Sequence, residues 1–338
     1  MTDEYFSLSP QDRADALNLA ADRSGRPAEL LEKDVWVVSV LKALFNSPPG
    51  AHLTFKGGTS LSKAYGLISR FSEDVDITYD IRQLLPQETR NGVIPASRSQ
   101  AEKWTAEAKG RLRSWVAKEA VPAIGSGLEY LGAKASVVSD DEIVEVTYEP
   151  ATQANALGYV RPRMLVEFGG RSTGEPRETK AVICDAALHV PTVSFPAASP
   201  WVMRPERTFW EKATAAHAYA ESGKLRGERF ARHHHDLIML AQSPVATGAI
   251  NDRALANEVA THKTRFFRET DSSGKVVDYV AAVRGNLRLV PSGDALWELE
   301  QDYKRMTEAG LLEAGAIGFE GLMANCQELA DRVNGISP

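Results

Sequence analysis

Asp74 and Asp76, one residue apart in the stretch SEDVDITYD, are the side chains of this sequence best placed for chemistry. In an extended strand residues i and i+2 point to the same face, so the two carboxylates stand together while Val75, Ile77 and Tyr79 face the other way. Side-by-side carboxylates repel unless a cation lies between them, and two oxygen ligands of this kind suit a hard divalent ion such as Mg2+, with Mn2+ as an alternative. A short way upstream, the stretch FKGGTSLSKAYGLI begins with Gly57 and Gly58, followed by the hydroxyls of Thr59 and Ser60. A glycine pair lets backbone N–H groups approach an anion closely, and a helix starting there turns its positive end toward it. Phosphate beside a divalent ion is the chemistry of phosphoryl or nucleotidyl transfer, which ordinarily adds a third carboxylate. Glu167 is the candidate: in RMLVEFGG, Met164, Val166 and Phe168 share one face and leave Arg163, Leu165 and Glu167 on the other.

These residues need a strand, a glycine turn, a helix and a second strand, and the sequence supplies that order. HLTF reads as the first strand, and Leu61, Ala64, Tyr65 and Ile68 fall at i, i+3, i+4 and i+7, the apolar stripe of one helix. Upstream, residues 10–46 read as two helices. Downstream, 98–130 is rich in Ala, Lys, Glu and Leu and reads as one or two more. EIVEVTYEP, RMLVEFGG and AVICDAAL are three extended runs that can widen the sheet. The chain turns Pro-rich near 190–206 and is then helical in texture, with FFRETDSSGKVVDY as a solvated loop. The expected domains are therefore 1–200, an α/β (α+β) unit with N-terminal helices, and 201–338, a mainly helical unit.

With 338 residues, 43% hydrophobic and 25% charged, the chain is long enough for two cores. It has no apolar run of about 18 residues and no basic-then-apolar leader at its start, so a cytoplasmic protein is expected. Cys184 and Cys326 are too few for a disulfide framework. A net charge of −6 argues against non-specific coating of nucleic acid but leaves room for a local basic rim. The run KLRGERFARHHHD supplies one, with Lys224, Arg226, Arg229 and Arg232 as candidates for an RNA backbone and Asp236 to orient a neighbouring group. Consecutive histidines diverge around a helix, which disfavours a zinc site built from all three. Lys212, in an otherwise small and apolar helix, is the cation available to neutralise charge on a triphosphate.

GGTSLSKAYGLISRFSEDVDI closely resembles the most recognisable block of the AbiEii/AbiGii-type nucleotidyltransferase toxins, in the DNA polymerase β-like superfamily. EKDVW, VEFGGRSTGEP, RTFWEKATAAH and RHHHDL resemble shorter pieces of the same family, more loosely in the second half. The resemblance implies a polymerase β-like core with a mixed sheet, a helical C-terminal domain and an active site in the cleft between them. It implies that Gly57, Gly58, Thr59 and Ser60 cradle the triphosphate; Lys63, in the same stretch, is a further nucleotide-binding candidate. Asp74 and Asp76 would bind magnesium, Lys212 would contact the nucleotide phosphates, and Asp236 would match the family's late aspartate. At the third metal position the superfamily more often has aspartate where this sequence has Glu167.

The resemblance further implies a toxin of a bacterial toxin–antitoxin or phage-defence operon with a separately encoded antitoxin. Its activity would be transfer of a nucleoside monophosphate from an NTP to RNA, foremost the tRNA 3′ end, which stops translation. Competing readings are transfer to a small molecule or protein hydroxyl, and a nucleotide-binding sensor without turnover. The hydroxyls of Thr59, Ser60, Ser62 and Ser72 also suggest covalent modification at the turn as a means of silencing.

Overall fold

A computed structural model describes residues 3–70, 74–152, 161–225, 229–312 and 315–335 of the 338. The chain divides into two compact units: Met1–Ala64 with Glu73–Arg90 and Ala106–Met203, and Tyr65–Ser72 with Asn91–Thr105 and Arg204–Pro338. The longest segment of the first unit ends at Met203 and the longest of the second begins at Arg204. The two short N-terminal segments assigned to the second unit were not foreseen, because their contacts are long-range and leave no mark in local composition.

The first unit is built on a seven-stranded mixed sheet. Its strands are β1 (Leu53–Lys56), β2 (Val75–Tyr79), β3 (Ala135–Asp140), β4 (Ile143–Tyr148), β5 (Arg163–Gly169), β6 (Arg177–Thr179) and β7 (Trp201–Met203), in the order β3-β4-β5-β2-β1-β7-β6. β2 runs parallel to β5 and antiparallel to β1, and β7 runs parallel to β1. Alternation along β2 and β5 is that of half-buried strands: Val75, Ile77, Met164 and Val166 are buried, while Asp76 and Glu167 are not.

Helix α1 (Pro10–Ser24) starts where the Ser9 hydroxyl accepts from the Asp12 N–H at 3.1 Å and stops at Gly25, whose φ is +72°. Helix α2 (Ala28–Phe45) is buried almost all round, its Trp36 stacked on Tyr148 with ring centroids 4.6 Å apart. Glu32, in the EKDVW stretch, is buried and accepts from the Ala151 N–H and the Thr152 hydroxyl at 2.7 and 2.6 Å. Helix α4 (Arg98–Trp115) continues through a π-helical segment, Val116–Ala120, into α5 (Val121–Tyr130), so the stretch 98–130 forms one helical run.

Two local expectations are corrected. Helix α3 covers only Gly57–Lys63: Gly66 has φ +62°, and Ile68, expected on the same stripe, is buried in a segment assigned to the second unit. AVICDAAL yields a two-residue strand, Val182–Ile183, that pairs with Ala197–Ala198 outside the main sheet, and then a 3-10 turn.

The second unit is helical, led by α6 (Pro205–Ser222) and α7 (Arg232–Ala241). Phe209, Trp210, Tyr219, Leu237, Leu240, Val259 and Leu299 are among its buried apolar residues. Trp210 Nε1 donates to the Ala249 carbonyl at 2.9 Å and the Tyr219 hydroxyl to the Ala295 carbonyl at 2.5 Å, satisfying the polar ends of buried rings. Among the described residues no helix is long and apolar enough to cross a membrane. Both cysteines are buried and free.

Candidate active site

The carboxylates of the first unit are set by strand register. Asp76 is paired with Glu167 across the parallel β2–β5 ladder and with Lys56 across the antiparallel β1–β2 ladder, so Glu167, Asp76 and Lys56 form a row across three adjacent strands. Asp74 immediately precedes β2, in phase with Asp76. Ordinary packing does not call for two carboxylates side by side in one register, with Asp74 a step along the same face.

The glycine turn is fitted to Asp76. Gly57 has φ +79°, and a Cβ built on it would lie 2.1 Å from Asp76 Oδ2, so only glycine allows the turn and the carboxylate to share this space. The Thr59 hydroxyl donates to the Asp74 carbonyl at 2.5 Å and the Ser60 hydroxyl to the Gly57 carbonyl at 2.9 Å; both side chains are buried. Thr59 thus ties the turn to the start of β2. Buried and hydrogen-bonded, neither hydroxyl is presented for covalent modification, contrary to the expectation from sequence; Ser72 lies outside the described residues.

Lys63 is occupied elsewhere. Its ammonium lies 2.6 Å from both Asp34 Oδ1 and Asp185 Oδ1, so its charge is neutralised within the first unit rather than offered to a nucleotide. Asp34 also accepts from the Asp185 N–H at 2.7 Å, and Arg26 pairs with Asp185. Burial, reinforced by the Asp185 carboxylate and opposed by Lys63, pushes the Asp34 carboxyl up to about 6. The triad anchors the end of α3 to α2 and so holds the glycine turn from behind.

In the second unit Lys212 and Asp236 are brought together. Lys212 Nζ lies 2.9 Å from Asp236 Oδ2, and Arg70 closes on the same carboxylate with Nε to Oδ1 at 2.6 Å and Nη2 to Oδ2 at 2.8 Å. Asp236 is fully buried, with Lys212 and Arg70 nearly so. Burial lowers the Lys212 pKa, while the two cations hold Asp236 well below the usual carboxylate range against the cost of its own burial. Lys212 and Arg70 thus share the Asp236 carboxylate. Burial and the nearby Lys212 and Arg232 charges hold His233 well below its ordinary range. Burial brings His234 to about 4, its Nε2 lying 3.1 Å from the Leu289 carbonyl oxygen. These two histidines are neutral near pH 7.

Of the basic run, Lys224 is exposed and Arg229 and Arg232 are half-buried, while Arg226 lies outside the described residues. The turn is shaped by buried Asp302, which accepts from the Arg229 and Ala231 N–H groups at 3.0 and 2.8 Å. Arg70, Lys56, Asp34, Asp185 and Asp302 were not singled out from sequence. Arg70 and Asp34 fall inside the blocks GGTSLSKAYGLISRFSEDVDI and EKDVW, and Lys56 stands directly before the glycine pair, alternating with buried Phe55.

Asp74, Asp76 and Glu167 are hard oxygen donors suited to Mg2+. The register brings the last two side by side, although no three acidic, histidine or cysteine side chains converge on one point among the described residues.

A model of the family described as Nucleotidyl transferase AbiEii toxin, Type IV TA system, matches residues 39–325. The chain belongs to the AbiEii nucleotidyl transferase toxin family. The AbiEii match includes every candidate residue from Gly57 to Asp236 and leaves out Asp34. As an AbiEii protein the chain is a nucleotidyltransferase toxin of a type IV toxin–antitoxin system, which implies a cognate antitoxin. Among solved structures the chain is similar to MenT4, nucleotidyltransferase toxin Rv2826c from Mycobacterium tuberculosis H37Rv. The two share 20% identity over 95% of this chain and 99% of that one, with a TM-score of 0.45. No curated protein matches the chain.

Proposed function

We propose that this AbiEii protein is a metal-dependent enzyme that moves a nucleoside monophosphate from an NTP to RNA, foremost to the 3′ acceptor end of tRNA, and so blocks translation. The observation that carries the reading is the Asp76–Glu167 register pair beside a turn whose Gly57, at φ +79°, leaves room for the Asp76 carboxylate. Asp74, Asp76 and Glu167 would hold Mg2+ or Mn2+. When bound, the ion would lower the pKa of the attacking hydroxyl and offset charge on the α-phosphate. The backbone N–H groups of the Gly57–Ser60 turn face the triphosphate. In the second unit Lys212 is the candidate cation for phosphate, and Asp236, gripped by Arg70, fixes where that ammonium sits.

In the reaction the acceptor hydroxyl oxygen bonds to the α-phosphorus, the bond to pyrophosphate breaks, and the hydroxyl proton passes to Glu167 or water. Pyrophosphate leaves with the cleaved bond's electron pair. Lys224, Arg226, Arg229 and Arg232 serve the RNA backbone, a role favoured by their density along one short run. A location in the cytoplasm and a role in phage defence accord with the family's toxin–antitoxin character.

The test is incubation of purified protein with deproteinised tRNA and each labelled NTP in turn, beside tRNA whose 3′ diol has been oxidised by periodate. Label on intact but not oxidised tRNA supports the reading. Equal label on both would move the acceptor away from the 3′ end. Label only on protein or a small molecule would replace RNA as acceptor.

A further inference from the structure

The outermost strand of the main sheet, β3, is six residues long and carries the sequence ASVVSD. Natural edge strands are usually guarded against pairing by proline, a bulge, a charge at mid-strand or extreme shortness. β3 has none of these within ASVVS. Val138, at its middle, is 54% exposed, and Tyr130, at the end of the preceding helix α5, is 90% exposed.

The direction of its backbone groups follows from register. The Phe168 N–H donates to the Glu142 carbonyl, so even-numbered residues of β4 bond toward β5, and Ile143, Glu145 and Thr147 bond toward β3. Their partners in β3 are Asp140, Val138 and Ser136. The N–H and C=O groups of Ala135, Val137 and Ser139 therefore point away from the sheet.

We propose that a second copy of this chain covers this edge, by two-fold antiparallel pairing of β3 with β3 about Val137. Antiparallel ladders require outward-bonding residues to face one another. Centring on Val137 is the arrangement that uses all three, with Ala135 opposite Ser139 on each side. In that register Lys134 of one copy stands opposite Asp140 of the other, twice by symmetry, and both residues are exposed. Shifting the centre by one residue along each copy, to Val138, uses only Val137 and Ser139. The strand is thus complementary to itself in charge and in hydrogen bonding at one register, which favours a second copy over an unrelated strand. A contact of this size is small, and a concentration-dependent dimer in the micromolar range is expected.

Sedimentation equilibrium over a wide concentration range would test this on four proteins: wild type, Lys134→Glu, Asp140→Lys and the double variant. The wild type should dimerise, each single variant should weaken the dimer about tenfold or more through two like-charge oppositions, and the double variant should return to wild-type strength. Ser139→Pro removes an outward donor without touching the β4 ladder, so it should give a folded monomer by circular dichroism. A wild type that stays monomeric throughout would overturn the proposal, as would a dimer indifferent to Ser139→Pro or single-charge losses not restored in the double variant.

Discussion

Replacing Gly57 by alanine tests the fit between the glycine turn and Asp76. Alanine at φ +79° carries a backbone cost of about 1–2 kcal/mol. The new Cβ would also stand 2.1 Å from Asp76 Oδ2, whereas ordinary contacts begin near 3.4 Å, so the carboxylate must retreat by roughly 1 Å or the turn must open. Retreat shifts the Asp76 carboxylate from its place beside Glu167, and opening the turn shifts the turn's N–H groups away from that carboxylate. A displacement of that size at a reacting centre costs on the order of 10²-fold in rate. The assay is NTP-dependent labelling of total RNA under initial-rate conditions, with the melting temperature measured alongside. Gly57→Ala should remain folded, melt a few degrees lower and lose about 10²-fold in transfer. Gly66→Ala is the control: it is also at positive φ but has open space around its Cβ, and should show a similar stability loss with transfer largely kept. Transfer by Gly57→Ala within threefold or so of the Gly66→Ala level would refute the reasoning.

Further outcomes follow from the ion clusters. Lys212→Ala should lose most activity even at saturating nucleotide and Lys212→Arg should recover only part, since a guanidinium does not place its charge as an ammonium does; full turnover by the alanine variant would leave Lys212 a structural partner of Asp236. Asp236→Asn removes the carboxylate that buried Arg70 and Lys212 share, so thermal denaturation should register a loss of about 3 kcal/mol or more. A variant as stable as wild type would contradict that. Asp34, raised to about 6 against 3.8 for an ordinary aspartate, binds its proton more tightly folded than unfolded. Its contribution to stability is therefore fully present below pH 3.8 and lost as pH rises to about 6, and Asp34→Asn should remove that part of the melting-temperature profile. An unchanged slope in Asp34→Asn would assign it to other groups.

Strand alternation made the carboxylate row legible from sequence: the phases of VDITY and RMLVEF put Asp76 and Glu167 on exposed faces before any pairing was known. Their adjacency was not legible, because parallel register depends on how distant segments meet. The helix after the glycines was read too long for a related reason, since Ile68 fits the stripe by spacing but is buried with long-range partners. Lys63 looked like a phosphate ligand beside the turn because Asp34 and Asp185, which hold it, lie 29 positions before it and 122 after it in the chain. Arg70 gave no local sign of its tie to Asp236, 166 residues away.

The central claim, that Asp76 and Glu167 form the working carboxylate pair of a nucleotidyltransferase, is tested most directly by Asp76→Asn and Glu167→Gln in NTP-dependent labelling of RNA with added Mg2+. Both changes keep side-chain size and remove one charge. The account predicts that the wild type labels RNA, that each variant melts at or above the wild-type temperature without metal, and that each loses about 10²-fold or more in transfer. Wild-type transfer rates in either folded variant would contradict it.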